Sequence, residues 1–152
     1  MNKVETLIQQ LQLIPHPEGG WYRELHRSPE QVQRQDGAER SALTAILFLL
    51  PAGAVSCWHR VIGADEAWTH IDGATLELFQ CQANGTALQR DPLNASNPVQ
   101  VVPANAWQAA RSLGEYTLVS CCVGPGFDFL DFEMARQQPT TDRLKLPHPE
   151  LI

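Results

Sequence analysis

The chain has 152 residues, 43% of them hydrophobic and 18% charged, with a net charge of −6 at pH 7. That length suits one domain with a sizeable core, and that composition excludes a disordered chain. Lys and Arg are scattered singly, so no nucleic-acid partner and no anionic membrane surface is expected, and no apolar run reaches the length of a bilayer span.

Val4, Leu7, Ile8 and Leu11 recur at helical spacing behind Asn2, a good capping residue, which predicts a short amphipathic helix over 3–12 within an N-terminal segment 1–13. Glu5, Gln9, Gln10 and Gln12 interrupt what a signal peptide would need as an apolar core, so a cytoplasmic protein is expected. Pro15 and Pro17 stop the helix. The segment PHPEGG (15–20) reads as a stiff loop with a Gly19–Gly20 hinge, placed to line a pocket mouth or lock a dimer. Trp21–Leu25 resumes as a strand, and Ser28–Arg40 reads as an exposed loop.

Strands are expected at Leu43–Leu50, Ser56–Val61, Glu66–Asp72, Thr75–Cys81, Thr86–Gln89, Gln100–Val102, Ala106–Arg111 and Tyr116–Val123. Asp72-Gly73 and Asn84-Gly85 are hairpin signals, and DPLNASNP (91–98) reads as a loop. Turn signals at this spacing, with no helical stretch between them, are what an antiparallel sandwich or barrel requires. FDFLDFEMA (127–135) reads as a last strand, followed by a loose, proline-broken tail. One domain over 1–152 is expected, with a β body over 14–133 and a tail over 134–152. The four cysteines fit neither a disulfide framework nor a zinc ribbon and read as small core residues.

The chemistry concentrates in GAVSCWHRVIGADEAWTHIDG (53–73), read as strand, tight turn, strand. Alternation puts His59 on a face with Cys57 and Val61, and Glu66 on a face with Trp68 and His70. If both faces turn inward, an imidazole and a carboxylate meet in one cavity. Gln108, behind Trp107 on a later strand, can join them. The candidate catalytic pair is His59 and Glu66, and the candidate ligand contacts are Gln108, Trp68, His70 and Trp107. Structural roles compete with each: a core or rim position for His59, an ion pair with Arg60 or Arg23 for Glu66, core packing for the tryptophans, backbone satisfaction for Gln108. Asp128 and Asp131 read as turn caps or partners of Arg23 or Arg111, and His26 and His148 as surface residues.

The spacing G-x5-H-x-V-x4-E-x6-G from Gly53 to Gly73 resembles the first cupin motif, with Val61 where that motif has a second histidine. The stretch from Pro103 resembles the second, P-x-G-x2-H, with Asn105 for its glycine and Gln108 for its histidine. PHPEGGWYRE, FLLPAG, WHRVIGADEAW, VVPANAWQAARSLGEYTLV and VGPGFDFLDFE together resemble the cupin subfamily known mainly as a domain of unknown function. The resemblance implies an all-β jelly-roll barrel of the cupin type, with an internal pocket and usually dimeric, similar in fold to germins, seed-storage proteins and deoxysugar epimerases. Of the three histidines and one glutamate that the cupin pattern offers a metal, His59 and Glu66 remain, so no metal cofactor is expected, with a metal on those two as the minority alternative. Three functions stay open: a metal-independent epimerase or isomerase of a sugar-like or other polar carbonyl compound, with His59 as base or acid and Glu66 as its partner; a small-ligand-binding protein without turnover; and a metal-dependent cupin. A homodimer is expected, formed through the strand near Trp21–Leu25.

Overall fold

In the computed structural model, which describes residues 1–143 and 145–152, Asn2 caps the first helix in both directions. Its side chain accepts the Glu5 N–H (2.8 Å), while its own N–H donates to the Glu5 carboxylate (3.0 Å). Helix α1 (Lys3–Gln10) then lays Val4, Leu7, Ile8 and Leu11 on the outside of a β-sheet.

The strands are β1 (Ile14–Pro15), β2 (Trp21–Arg27), β3 (Gln31–Gln33), β4 (Glu39–Ser41), β5 (Thr44–Pro51), β6 (Val55–Val61), β7 (Asp65–Gly73), β8 (Leu76–Cys81), β9 (Gln89–Leu93), β10 (Val99–Val102), β11 (Trp107–Ser112), β12 (Tyr116–Gly124) and β13 (Phe132–Met134). They form a six-stranded sheet, order β1-β2-β5-β12-β7-β10, and a five-stranded sheet, order β13-β6-β11-β8-β9. Every pairing is antiparallel, as the short turns dictate. This is the all-β jelly-roll architecture with a short N-terminal helix that the sequence leads one to expect.

The space between the sheets is filled at one end and hollow at the other. Phe48 and Leu50 of β5, Trp68 of β7, Leu76 and Leu78 of β8, Leu93, Val102 and Val119 form the filled part, all buried. Phe48 and Trp68 meet edge to face at 5.9 Å, the favoured aromatic geometry. The outer faces are covered separately. Helix α1 covers Leu49, Tyr116 and Leu118 of the six-stranded sheet. The C-terminal segment covers Trp58, Phe79 and Trp107 of the five-stranded sheet with Ala135, Leu146 and Leu151.

Five expectations about local structure need correction. Residues 28–40 contain the β3–β4 hairpin, pinned where Arg34 and Arg40 both bond to the buried Asp131 carboxylate. The return strand after Asn84-Gly85 is β9, starting later than Thr86 and including Pro92, which an edge strand tolerates. The expected strand over 127–135 opens with a single 3-10 turn, Phe129–Asp131, capped by the Asp128 side chain on Leu130 N–H, and only Phe132–Met134 pairs. The tail is not loose: Leu146 and Leu151 are buried, and the Trp58 indole N–H donates to the Pro147 carbonyl at 2.9 Å. Finally, β6 and β7 are not a hairpin. The turn around Gly63 carries the chain from one sheet to the other, so His59 and Glu66 project from opposite walls. Among the described residues no helix is long and apolar enough to cross a membrane.

Candidate functional site

The hollow end is a cavity of about 210 Å³. Its inner wall includes His16, Glu18, His59, Val61, Glu66 and Cys121, and Phe127, Phe129 and Phe132 stand at the C-terminal side of its mouth. Strand alternation accounts for the inward residues: His59 and Val61 on β6, Glu66 on β7, Cys121 and Val123 on β12.

Glu18 enters from outside the sheets, on PHPEGG, and the twin glycines make that entry possible. Gly19 (φ +108°) lies so near β6 that a Cβ would sit 2.1 Å from the Val55 carbonyl oxygen. Gly20 (φ +76°) would bring one to 2.8 Å from the Leu49 carbonyl oxygen and 2.9 Å from the Phe48 ring. Only glycine permits both the left-handed backbone and the approach. The segment then bonds to β6 like an extra strand, Cys57 N–H to Glu18 O at 2.9 Å. The Glu18 carboxylate points inward, accepting the Ser56 hydroxyl at 3.0 Å and facing His59 Nε2 at 2.9 Å.

Both nitrogens of His59 are therefore committed. A carbonyl can only accept, so Nδ1 carries a proton to Cys57 O (2.7 Å), and Nε2–H faces Glu18. Burial works against the charged imidazole, but the charge and hydrogen bond of Glu18, aided by Glu66 and the Cys57 carbonyl, raise its pKa to about 9. For Glu18, burial likewise opposes ionisation, and His59, His16 and Ser56 overcome it, leaving the pKa below the ordinary carboxylate value. The pair is a buried imidazolium–carboxylate at neutral pH.

Glu66 differs. Its Oε1 accepts from Gln108 Nε2 (2.7 Å), and Gln108 Oε1 accepts from the Trp68 indole (2.8 Å), a relay of neutral groups behind one carboxyl. Burial, with the nearby charge of Glu18, pushes its pKa up to about 7 against the pull of His59 and Gln108. His16 completes the group. Its ring stands edge-on to Tyr22 at 4.6 Å, and Nδ1 accepts the Glu18 backbone N–H at 3.1 Å. Burial lowers its pKa, with Glu18 opposing and His59 assisting, so it is neutral at pH 7.

The profile of the family described as "Cupin superfamily (DUF985)" matches residues 5–135. The chain belongs to that family. A hypothetical protein from Leishmania major is 32% identical with a TM-score of 0.86, covering 99% of this chain and 97% of that one. A protein from Shewanella oneidensis is 32% identical with a TM-score of 0.78, over 88% and 85%. KdgF from Halomonas sp., 16% identical with a TM-score of 0.57 over 78% and 91%, shares the fold. No curated protein matches the chain.

This cupin's donor set does not fit a metal. Val61, at the place of the second cupin histidine, is a buried wall residue packed with Ala64, Val123 and Phe127. Gln108, at the place of the third, lies beside His59 in register, but both ends of its amide are occupied. Among the described residues no group of three or more His, Cys, Asp or Glu is arranged to hold a metal ion.

Of the residues expected in the site, His59 and Glu66 line this cupin's cavity, from opposite sheets. Gln108 and Trp68 lie behind Glu66, with Trp68 in the filled core. Trp107 is turned outward, under the C-terminal segment and beneath the Arg60 guanidinium (4.6 Å); neighbours on a strand cannot face the same way, so Gln108 inward means Trp107 outward. His70 reaches the Ala74 carbonyl at the far end of β7 (3.3 Å), next to a register shift between Leu118 and Val119, and does not line the cavity. The structural partners suggested for Glu66 are engaged elsewhere, Arg60 with Glu133 and Arg23 with Leu11 O. Glu18 is the partner of His59 that sequence reasoning missed. Its available signal was an acidic residue between a proline and two glycines, where a backbone must pass close to another.

Proposed function

We propose that this cupin is a small-molecule isomerase or epimerase that moves a proton at a carbon beside a carbonyl in a sugar-like or other polar carbonyl compound. The observation that carries the reading is Glu66: a carboxyl buried in the cavity, held at one oxygen by a neutral amide, and ready to gain or lose a proton near neutral pH. Such a group accepts a proton from carbon and returns it. His59, held by Glu18 and the Cys57 carbonyl, forms a fixed polar wall in the same cavity.

The roles shift from those expected. With both nitrogens of His59 committed, acid–base work falls to Glu66, Glu18 becomes the partner of His59, and Gln108 and Trp68 position Glu66. A cavity of about 210 Å³ is smaller than drug-sized pockets, which run from about 300 Å³, and suits a compound of a few carbons. Deuterium uptake from D₂O into three- to six-carbon aldoses and ketoses, followed by proton NMR, tests the reading. Glu66→Gln should slow uptake by about 10²-fold or more; uptake at the wild-type rate in that variant would refute it. The engagement of both His59 nitrogens favours a second reading, a binder without turnover, which predicts tight binding of a panel compound with no uptake in the wild-type protein.

We infer a homodimer as well. Among the described residues β1 pairs only with Trp21 and Tyr22, leaving the edge of β2 from Arg23 to Arg27 without a strand partner beside the exposed Leu25, an invitation to a second copy. Sedimentation at micromolar concentration should give twice the chain mass; a monomer would refute it.

A further inference from the structure

His16 is the one lining imidazole whose cavity-side nitrogen has no assigned role. The Glu18 backbone N–H points at its Nδ1, so the lone pair lies there and the proton of the neutral ring lies on Nε2. Among the described residues Nε2 has no protein partner, and the ring lines the cavity. The ring is also fixed, wedged edge-on against Tyr22 (4.6 Å), Phe48 (5.8 Å) and Phe132 (5.9 Å). A buried, oriented, uncharged N–H donor in a proton-transfer cavity is what a developing oxyanion needs: it strengthens its hydrogen bond as charge builds, without reorganising.

The charges around it select the substrate. The cations lining the cavity are His59 and Arg27, and each is already matched: His59 by Glu18, and Arg27 by Glu24 at 2.6 Å, with its Nη1 on the Phe127 carbonyl. An anionic substrate would find no uncommitted cation among the described residues of the wall. An uncharged hydroxycarbonyl compound leaves these pairs intact.

Resting on the isomerase reading above, we propose that His16 is a catalytic residue of this site, its Nε2–H hydrogen-bonding the carbonyl oxygen of a small uncharged hydroxycarbonyl substrate while Glu66 takes the proton from the adjacent carbon. The C–H electron pair moves into the C–C bond and the carbonyl pair onto oxygen. His16 keeps its proton and holds that oxygen; the neighbouring hydroxyl passes its own proton to that oxygen and its O–H pair forms the new carbonyl, while the C–C pair takes the proton back from Glu66 at the former carbonyl carbon. Atoms and charge balance with no co-reactant.

His16→Asn separates the two faces of the ring, because an Asn carbonyl can still accept the Glu18 N–H while the cavity donor is lost. Three measurements are made on wild type, His16→Asn and His16→Gln: deuterium uptake by the aldose and ketose panel, affinity for glycolohydroxamate as an uncharged enediolate mimic, and the ¹⁵N and Hε2 resonances of His16. The expected results are an Nε2–H neutral tautomer at pH 7, an Hε2 signal that moves downfield on hydroxamate binding, and about 10²-fold slower uptake in His16→Asn. His16→Gln, which restores an N–H near Nε2, should recover part of the loss. Wild-type uptake and hydroxamate affinity retained in His16→Asn would overturn the role of His16 and leave the isomerase reading standing. Absence of uptake in wild type, with hydroxamate bound and Hε2 shifted, would overturn the isomerase reading, and with it the catalytic role of His16. Absence of both uptake and binding would overturn both.

Discussion

Replacing Glu66 by Gln should make the protein more stable, and only above a definite pH. The folded carboxyl titrates at about 7 against an ordinary value of 4.5. Between these values the unfolded chain has released this proton and the folded chain has kept it, so stability falls as pH rises. At about 1.4 kcal/mol per pKa unit, the charged carboxylate costs the fold about 3 kcal/mol above pH 7 and nothing below pH 4.5. Gln has nearly the same shape and still accepts the Gln108 N–H. The attraction of His59 for the charged carboxylate is already contained in the value of about 7. Urea unfolding at a series of pH values should show equal stability near pH 4 and an advantage of about 3 kcal/mol for Glu66→Gln at pH 8. Equal stabilities at pH 8, or a less stable variant, would mean that Glu66 ionises inside the barrel without cost, and the argument for its role would go.

The buried ion pair should behave oppositely. Glu18→Gln removes the leading influences that raise His59 against its burial, so by NMR its pKa should fall from about 9; removal of one partner of a buried pair costs about 3–5 kcal/mol. Because His59 is raised on folding, that stability is present below pH 6.5 and lost as pH climbs to about 9, so the variant's deficit, measured by urea unfolding, should be largest near pH 6 and shrink toward pH 9. Gly19→Ala sets a Cβ 2.1 Å from the Val55 carbonyl oxygen at φ +108°, and should lower stability by at least about 2 kcal/mol, seen as a drop in Tm. Leu151→Ala opens a gap beneath the docked tail and should cost about 2–3 kcal/mol in the same assay, where a loose tail would cost nothing.

The architecture was legible because its signals are local. Turn residues punctuated the chain at strand length, and alternation told inside from outside, so the strands from Leu43 to Val123 other than β9, and the inward His59 and Glu66, could be read directly. What failed was information carried by pairing. Nothing near Gly63 distinguishes a hairpin from a passage between sheets, since both need a tight turn; the difference lies in β11, β12 and β13, far along the chain. Glu18 was hidden for the same reason, its partner lying 41 positions away on a strand that PHPEGG reaches only by docking. Trp107 was a different error. Period two alone forbids it and Gln108 from sharing a cavity, and its outward position follows from that rule.

The Glu18–His59 couple also constrains how this chain can drift. A lone imidazolium or a lone carboxylate in that interior is worse than a pair of neutral side chains, so a lineage leaving this arrangement by single steps must pass through a damaged intermediate. PHPEGG and the middle of β6 are thus bound to change together or not at all, and the opening residues of the barrel travel through descent as part of its interior.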